Sequence, residues 1–257
     1  MLCFSSYGKV YWIKVFRLPR AGRNAKGRPI VNLLPLEKEE RIQAVLPVSA
    51  FEEDKFVFMA TEQGTVKKTP LSAYSRPMKN GIKAIKLKEN DKVVNVEITD
   101  GTKDIMLFSD AGKTIRFSEK DARPLGRVSQ GVIGMRLDKN QKVISLIVAK
   151  DEGNVLTATE NGYGKQTLIN EFNLQKRGGK GVIAIQTSKR NGKLIAANQV
   201  QLDDEVIFIS SVGNLIRTTI ENISVIGRNT QGVKLIRLNE DDKLLEMERI
   251  IKDNNDE

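Results

Sequence analysis

The hydrophobic residues of this chain are grouped in short runs that carry Ser or Thr near their end. Each run is followed by a glycine and then by a segment with Lys or Arg. Short apolar runs that meet at a glycine are typical of two β-strands joined by a tight turn. The pattern occurs five times, at residues 3–8, 59–64, 107–112, 157–162 and 208–213. This recurrence predicts a protein built from repeated β-hairpins, with little room for helices.

A second glycine lies 17 or 19 residues after the first one in every copy. We expect both glycines to supply positive φ angles in tight turns, because glycine has no Cβ. The first set is Gly8, Gly64, Gly112, Gly162 and Gly213, and the second set is Gly27, Gly81, Gly131, Gly181 and Gly232. A short apolar strand, a charged turn and a further strand follow the second glycine, so each repeat holds about four strands.

Repeats of roughly 50 residues with four short strands are the signature of propeller-like blades, each of which buries its faces against its neighbours. The predicted fold is therefore all-β and propeller-like, with about five four-stranded blades. The predicted domain spans residues 1–252 and is followed by a short acidic tail at 253–257. Its repeats are predicted at residues 1–50, 51–99, 100–149, 150–201 and 202–252.

The charge balance indicates the kind of partner. The chain carries 42 Lys and Arg against 32 Asp and Glu, which leaves a net charge of +10. Such a balance favours a polyanion, either nucleic acid or an anionic membrane surface. No apolar run approaches the roughly 18 residues of a membrane-spanning helix, and the start resembles no signal peptide. We therefore expect a soluble, intracellular protein.

The composition excludes several kinds of site. Cys3 is the single cysteine and there is no histidine, so an intramolecular disulfide, a Cys/His zinc site and a His-dependent triad are all impossible. Residues 22–28 superficially approach a nucleotide-binding P-loop but lack its Gly-Lys-Ser/Thr ending. No acid/base cluster or cofactor motif emerges. We therefore expect no catalytic residue, no metal and no cofactor in this chain.

Two rows of cations recur in register with the glycines. The pre-glycine row lies four or five residues before the second glycine and comprises Arg23, Arg76, Arg127, Arg177 and Arg228. The post-glycine row lies three or four residues after the first glycine and comprises Lys67, Lys68, Arg116, Lys165 and Arg217. Equivalent slots on blades arranged around an axis would form a basic belt that contacts phosphates. The alternative interpretation is that these cations only protect strand edges from pairing.

Further candidate contacts lie beside these rows, at Lys26, Arg28 and Lys79. The densest candidate, which we call the glycine box, comprises Gln175, Lys176, Arg177, Gly178, Gly179, Lys180 and Gly181. Its cations flank a pair of glycines, which would let a phosphate backbone approach closely and reach exposed N–H groups. The alternative is a longer hairpin loop of the fourth repeat, because Gly181 also occupies the common turn position.

Several long motifs resemble the A subunits of DNA gyrases, and the resemblance covers nearly the whole chain. These motifs are residues 27–36 (GRPIVNLLPL), 58–61 (FMAT), 64–69 (GTVKKT) and 227–233 (GRNTQGV). The resemblance implies a carboxy-terminal β-pinwheel that wraps double-stranded DNA into a positive crossing without reading its sequence. It also implies a cytoplasmic, nucleoid-associated A2B2 holoenzyme that uses ATP and Mg²⁺. In that family the catalytic tyrosine lies in an amino-terminal breakage-reunion domain, which we expect to be absent here, and ATP is bound by the partner B subunit.

Two departures from the family pattern are apparent. The family has six blades whereas five repeats are counted here, so we expect the family's first blade to be missing. The hallmark box of the family, Gln-Arg-Arg-Gly-Gly-Lys-Gly, belongs to that blade, and here a near-copy with Lys176 in second place lies in the fourth repeat. Two alternatives stay open: the related domain of topoisomerase IV, and a propeller-like protein-interaction scaffold.

Overall fold

The computed structural model describes residues 1–20, 22 and 25–250. Within these residues the regular elements are β-strands and short 3-10 turns, and none is an α-helix, which confirms the all-β fold. The first repeat contributes β1 (Leu2–Ser5), β2 (Lys9–Trp12) and β3 (Ile42–Leu46). The second contributes β4 (Phe56–Thr61), β5 (Thr65–Pro70), β6 (Ile82–Lys83) and β7 (Val93–Thr99).

The last three repeats follow the same order of strands. The third repeat contributes β8 (Asp104–Ser109), β9 (Lys113–Ser118), β10 (Val132–Ile133) and β11 (Val143–Ala149). The fourth contributes β12 (Asn154–Thr159), β13 (Tyr163–Leu168), β14 (Val182–Ile183) and β15 (Leu194–Val200). The fifth contributes β16 (Glu205–Ser210), β17 (Leu215–Thr219), β18 (Val233–Lys234) and β19 (Leu244–Ile250). The 3-10 turns are Val15–Arg17, Ile30–Asn32, Leu71–Tyr74, Glu119–Asp121, Ile169–Glu171 and Ile220–Asn222.

The strands form five antiparallel sheets, and each of the first four sheets combines strands of two repeats. The three longer strands of a repeat form the body of its own sheet, whereas the short strand after the second glycine pairs with the sheet of the preceding repeat. Thus β6 pairs with β2, β10 with β5, β14 with β9 and β18 with β13. The second to fifth repeats each have four strands, as predicted, but the short strand of each lies in the sheet of the preceding repeat.

The fifth sheet departs from the prediction of four strands in every blade. It has the order β17-β16-β19, and within the described residues no strand pairs with the second edge of β17. The first repeat departs as well, because Arg28 and Pro29, at the positions of the short strand in the other repeats, form no strand and are followed by the 3-10 turn Ile30–Asn32. Among the described residues, two elements thus differ from the repeat pattern: β17, which has no partner strand on one edge, and the segment after Gly27, which adds no strand to another sheet.

The described chain divides into two compact units. The first contains Met1–Thr102 and Ala122–Ile133 and holds the first two sheets. The second contains Lys103–Asp121 and the chain from Gly134 onward, and holds the other three. The first strand of each of the first four hairpins is buried on both faces, as in β8, where four consecutive apolar residues are inaccessible to solvent, whereas β16 alternates between buried and half-buried residues. This two-sided burial explains why these strands read as continuous apolar runs rather than alternating ones.

The Ser or Thr near the end of each apolar run has a structural role. Each outer strand shifts register at this position, as at Ala60 and Thr61 in the second sheet. The side-chain oxygen of Thr61 accepts a hydrogen bond from the backbone N–H of Thr65 across the turn, and Ser5 and Ser210 do the same in their own repeats. The short Ser or Thr side chain therefore accepts a hydrogen bond across the turn, next to the position where the strand has a bulge.

Both sets of glycines adopt positive φ, as predicted, with values between 68° and 91°. At Gly112 the φ is 75°, and a Cβ would lie 2.2 Å from the carbonyl oxygen of Ile185 in the next repeat. At Gly213 the φ is 86°, but a Cβ would meet no heavy atom within 4 Å. The first position needs glycine for both conformation and close approach, and the second for conformation alone.

This difference yields a stability prediction within the second unit. Gly213→Ala should lower the free energy of unfolding by about 1 kcal/mol, the cost of a left-handed residue with a Cβ. Gly112→Ala should cost more, because the Ile185 backbone must also move. Gly227→Ala, whose Cβ would make only an ordinary contact, is the control. Denaturant unfolding measures all three, and equal losses for Gly112→Ala and Gly213→Ala would contradict the role of the Ile185 contact.

Candidate nucleic-acid interface

The post-glycine row turns inward. Lys67 and Lys165, three residues after their glycines, have buried side chains. The Lys67 ammonium donates to the carbonyl of Ala84 at 2.6 Å and to that of Arg127. The Lys165 ammonium donates to the carbonyl of Arg228 at 2.6 Å and to the carbonyl just before it. Through the Arg127 carbonyl Lys67 connects the second repeat to the third, and through the Arg228 carbonyl Lys165 connects the fourth repeat to the fifth.

Burial changes the protonation of these two lysines. Desolvation, assisted by the nearby Arg127 cation, lowers the pKa of Lys67 to about 7 from its ordinary 10.5. Desolvation also lowers the pKa of Lys165 to about 8, although the Glu171 carboxylate raises it and Arg228 lowers it further. These ammonium groups are poor candidates for contacting phosphate, because they lie inside the protein and their donors are engaged by carbonyls.

The next position, four residues after the first glycine, joins successive repeats. Gln166 donates through Nε2 to the carbonyls of Ile220 and Ile223, at 2.8 and 2.7 Å, at the two ends of the fifth repeat's 3-10 turn. Arg116 donates to the two equivalent carbonyls of the fourth repeat, at 3.3 and 3.4 Å. Trp12 donates to the carbonyl that ends the second repeat's turn, at 3.1 Å. Three different side chains therefore supply the same kind of donor.

The expected surface exposure of the post-glycine row is therefore wrong at Lys67, Lys68 and Lys165, which are buried, whereas Arg116 is half-buried. Lys68 is buried with its ammonium 5.1 Å from the centroid of the Phe56 ring, and Arg116 also pairs with a carboxylate of its own sheet. The physical reason is that this strand is paired at both edges in each of the first four sheets, and its side chains at these positions lie against segments of the next repeat. The sequence held a signal for this, because Tyr11 and Ile115 occupy the position of the buried lysines.

Arg217 differs from the rest of the row. Its guanidinium is exposed and forms an ion pair with Glu205 on the neighbouring strand β16. Within the described residues, no 3-10 turn of a following repeat lies against it. The predicted exposure of this cation is therefore found, but it follows from the uncovered edge of β17 and not from a common surface position.

The pre-glycine row lies at the surface. Arg76 is exposed, and Arg127, Arg177 and Arg228 are half-buried. Arg177 donates through Nε to a backbone carbonyl of the third repeat at 2.8 Å, and Arg228 donates through one terminal nitrogen to the carbonyl of Ile183 at 3.1 Å. A guanidinium has five N–H donors, so the bond to Ile183 orients the Arg228 group without exhausting its donor capacity. Arg23 lies outside the described residues, and Lys26, Arg28 and Lys79 are exposed.

The glycine box lies against the third repeat. The N–H of Gly178 donates to the carbonyl of Gly134 at 2.6 Å, and the carbonyl of Gly179 accepts from the N–H of Arg136 at 2.9 Å. At Gly181, with φ of 71°, a Cβ would lie 2.2 Å from the carbonyl oxygen of Thr114. The glycines therefore allow a close approach of protein backbone. The prediction that the N–H groups of the box are exposed to phosphate is wrong for Gly178, because its N–H donates to the carbonyl of Gly134.

The cations of the glycine box remain at the surface. Lys176 and Lys180 are exposed, and Arg177 is half-buried. The Lys180 ammonium lies 2.6 Å from a carboxylate oxygen of Asp138, and both side chains are solvent-accessible. An exposed pair of this kind contributes little to stability, so a phosphate can compete for the lysine. Gln175 is half-buried, with its backbone N–H bonded to the carbonyl of Arg116 at 2.8 Å.

The described residues contain no group of three His, Cys, Asp or Glu side chains that could hold a metal ion. Among them, no helix is long and apolar enough to cross a membrane.

These features define a class of protein: an all-β chain of repeated blades that exchange a strand between neighbours and display arginines at one repeated position. The family model described as "DNA gyrase C-terminal domain, beta-propeller" matches residues 1–49, 55–100, 103–150, 153–201 and 204–250. The chain belongs to this family.

Individual relatives agree with the family match. The chain is 48% identical over 97% of its length to the DNA gyrase A protein of Haemophilus influenzae, and 50% identical over 97% to that of Escherichia coli K12. It spans about a third of the length of these curated relatives, 32% and 29% respectively.

Two solved structures have the same fold. A DNA gyrase A C-terminal domain superposes with a TM-score of 0.83 at 25% identity, covering 97% of this chain and 82% of that one. A topoisomerase IV C-terminal domain superposes with a TM-score of 0.90 at 25% identity, covering 97% and 78%.

The buried lysines lead to a pH-dependent stability. Between about pH 7 and 10.5 the unfolded chain keeps the Lys67 proton that the folded chain has lost, so stability should rise with pH in this window. The slope contributed by one such proton is at most about 1.4 kcal/mol per pH unit. Lys67→Met should flatten the rise, whereas Lys79→Met, at an exposed lysine, should not. Melting temperatures recorded across this window measure the slope, and identical slopes for the two variants would contradict the assignment.

Proposed function

We propose that this chain binds double-stranded DNA without reading its sequence and wraps it chirally, as part of a gyrase A protein. The observation that carries the proposal is the pre-glycine row, in which arginines recur at one repeat position and lie at the surface in both compact units. Contacts to phosphate position a duplex but carry no sequence information. A row set by the structural repeat suits this task, because the phosphate backbone is itself a repeating ligand.

The energetics require many such contacts. Bending 20 to 30 base pairs by 40 to 90° costs about 1 to 6 kcal/mol. Each neutralised phosphate releases counterions, so the logarithm of the binding constant should fall with the logarithm of salt concentration by about 0.9 per contact. The net charge of +10 is consistent with attraction to a polyanion. Binding that is strongly salt-dependent is therefore part of the proposal.

The partners extend the same proposal. In the holoenzyme the chain would act with the gyrase A amino-terminal domain and with the gyrase B subunit, in an A2B2 assembly. Breakage of DNA and ATP hydrolysis with Mg²⁺ would take place in those parts. The role of the chain would be to present wrapped DNA to the enzyme, and its proposed location is the bacterial cytoplasm, in association with the nucleoid.

Topoisomerase IV is the second candidate, because a C-terminal domain of that enzyme superposes with a TM-score of 0.90. The glycine box favours gyrase: three cations stand around a glycine pair, and two of them, Lys176 and Lys180, are exposed. The two candidates differ in the expected DNA geometry. A chiral wrap changes the linking number of a circle, whereas binding alone leaves it unchanged.

The decisive experiment is the ligation of nicked DNA circles in the presence of the 257-residue chain, followed by measurement of the linking-number distribution. A positive shift that grows with protein concentration and disappears at high salt supports chiral wrapping. Binding without a shift would overturn wrapping by this chain. Binding that is insensitive to salt would support a protein-interaction scaffold with an incidental basic face.

The glycine box gives a sharper prediction. Replacing Lys176, Arg177 and Lys180 together with Ala should reduce the linking-number shift per bound protein more than it reduces binding, because the pre-glycine arginines of the other repeats remain. The salt slope of binding should fall by at most about 2.7, the value for three phosphate contacts.

The matched control loses the same charge elsewhere. Replacing the exposed Lys150, Lys189 and Lys243 with Ala removes three cations of the second unit outside both rows and the box. We expect this variant to keep its linking-number shift. Equal shifts from the two triple variants would show that the box has no special part in wrapping.

A further inference from the structure

Two buried lysines of the post-glycine row contact the backbones of two arginines of the pre-glycine row. Lys67 is in the second repeat, and its ammonium donates to the backbone carbonyl of Arg127 in the third. Lys165 is in the fourth repeat, and its ammonium donates to the backbone carbonyl of Arg228 in the fifth, at 2.6 Å. Each pair lies within one compact unit, so the two contacts are separate instances of the same arrangement.

A second carbonyl fixes each ammonium group. Lys67 also donates to the carbonyl of Ala84 in its own repeat at 2.6 Å, and Lys165 also donates to the carbonyl of Gly227. Both lysine side chains are fully buried. Burial of an ammonium is costly unless its donors are paired, so these lysines need the carbonyls that they contact. The bonds therefore hold the backbone of each arginine against the strand that carries the lysine.

The two loops that receive a lysine share a local sequence and a turn. They are residues 126–129 (GRVS) and 227–230 (GRNT). In each loop the hydroxyl of the Ser or Thr donates to the carbonyl of the glycine, at 2.7 Å in the first loop and 3.0 Å in the second. This bond closes a turn around the arginine, and the lysine bonds the carbonyl of the arginine within that turn.

The equivalent loops of the second and fourth repeats have neither feature. Ile115 occupies the lysine position facing the fourth repeat, and its side chain has no hydrogen-bond donor. Tyr11 occupies the lysine position facing the second repeat, and its hydroxyl donates to Glu40 at 3.0 Å. The loops themselves read KRGG at residues 176–179 and RPMK at 76–79. The lysine and the Gly-Arg-x-Ser/Thr loop thus occur together in two junctions and are both missing from the other two.

The surroundings of Arg228 show what the lysine contributes. The N–H of Arg228 donates to a carboxylate oxygen of Glu171 at 2.9 Å, and its carbonyl accepts from Lys165. Its guanidinium donates to the carbonyl of Ile183 at 3.1 Å and keeps further donors for a ligand. Both backbone polar groups of this arginine are therefore engaged. Binding through its side chain loses less conformational entropy when the backbone that carries it is already fixed.

We propose that Lys67 and Lys165 are positioning residues for DNA binding, each of which holds the backbone of a pre-glycine arginine so that its guanidinium meets a phosphate. This inference rests on the proposed function, because it requires that the pre-glycine row contacts DNA. The lysines themselves do not touch DNA, since they are buried and their ammonium groups donate to carbonyls. Each lysine therefore acts only through its own arginine.

Binding of a linear DNA duplex to the 257-residue chain over a range of salt concentrations tests this inference. Arg127→Ala should lower the salt slope by about 0.9, the value for one phosphate contact. Lys67→Met removes the ammonium but keeps a side chain of similar length, and it should lower the slope as well. The double variant should lose no more than Arg127→Ala alone, because the two changes remove one contact. A lysine with a purely structural role would change the melting temperature and leave the slope unchanged.

The repeat itself supplies the matched control. Ile115→Met places the same new residue at the same repeat position, where no ammonium is lost, and its salt slope should equal that of the wild type. Lys165→Met and Arg228→Ala repeat the test in the second unit, so that a folding defect of one lysine variant does not decide the result. Melting curves establish that each variant is folded at the temperature of the binding measurement.

The outcomes separate this inference from the proposed function. If the arginine variants lower the slope and the lysine variants do not, the positioning role is wrong and DNA binding by the row stands. If the lysine and arginine losses add in the double variants, the lysines act by another route and the inference is equally overturned. If the arginine variants keep the wild-type slope, the row does not contact DNA, and the proposed function fails together with the inference.

Discussion

The exchange of one short strand between consecutive repeats is the constraint on which the rest of the structure depends. A repeat cannot complete its own sheet, because its strand after the second glycine lies in the sheet before it. The crossing of chain segments at each junction brings backbones so close that only glycine fits, as at Gly112 and Gly181. It also covers the outer face of the strand after the first glycine, and this decides which side chains are available to a ligand.

Strand exchange gives the two rows of cations opposite roles. Lys67, Arg116 and Lys165 donate to carbonyls of the repeats that follow their own. Arg116 donates to the ends of a 3-10 turn, whereas each lysine donates to the backbone of a pre-glycine arginine, Arg127 or Arg228. Burying an ammonium is costly, and the lowered pKa of Lys67 and Lys165 expresses that cost. The pre-glycine arginines lie where the chain passes over the sheet, so they stay accessible. In our proposal, DNA contacts this pre-glycine row.

The glycine box combines both requirements within seven residues. Its glycines serve the junction, because Gly178 and Gly179 exchange backbone bonds with the third repeat and Gly181 approaches Thr114. Its cations serve the surface, because Lys176 and Lys180 are exposed. A motif of this composition can therefore be required for packing and for binding at once, and separating the two roles calls for changes to its cations alone.

The sequence by itself determined the class of fold, the number of repeats and the conformation of the glycines. These properties are local: a turn with positive φ excludes side chains whatever surrounds it, and apolar runs separated by such turns must be short strands. Only the tertiary structure decided that each repeat's fourth strand belongs to the preceding sheet, and that Lys67 points inward whereas Arg76 does not. Neither could be predicted from the pattern of charges, because burial depends on which segment covers a strand, and that segment lies in another repeat.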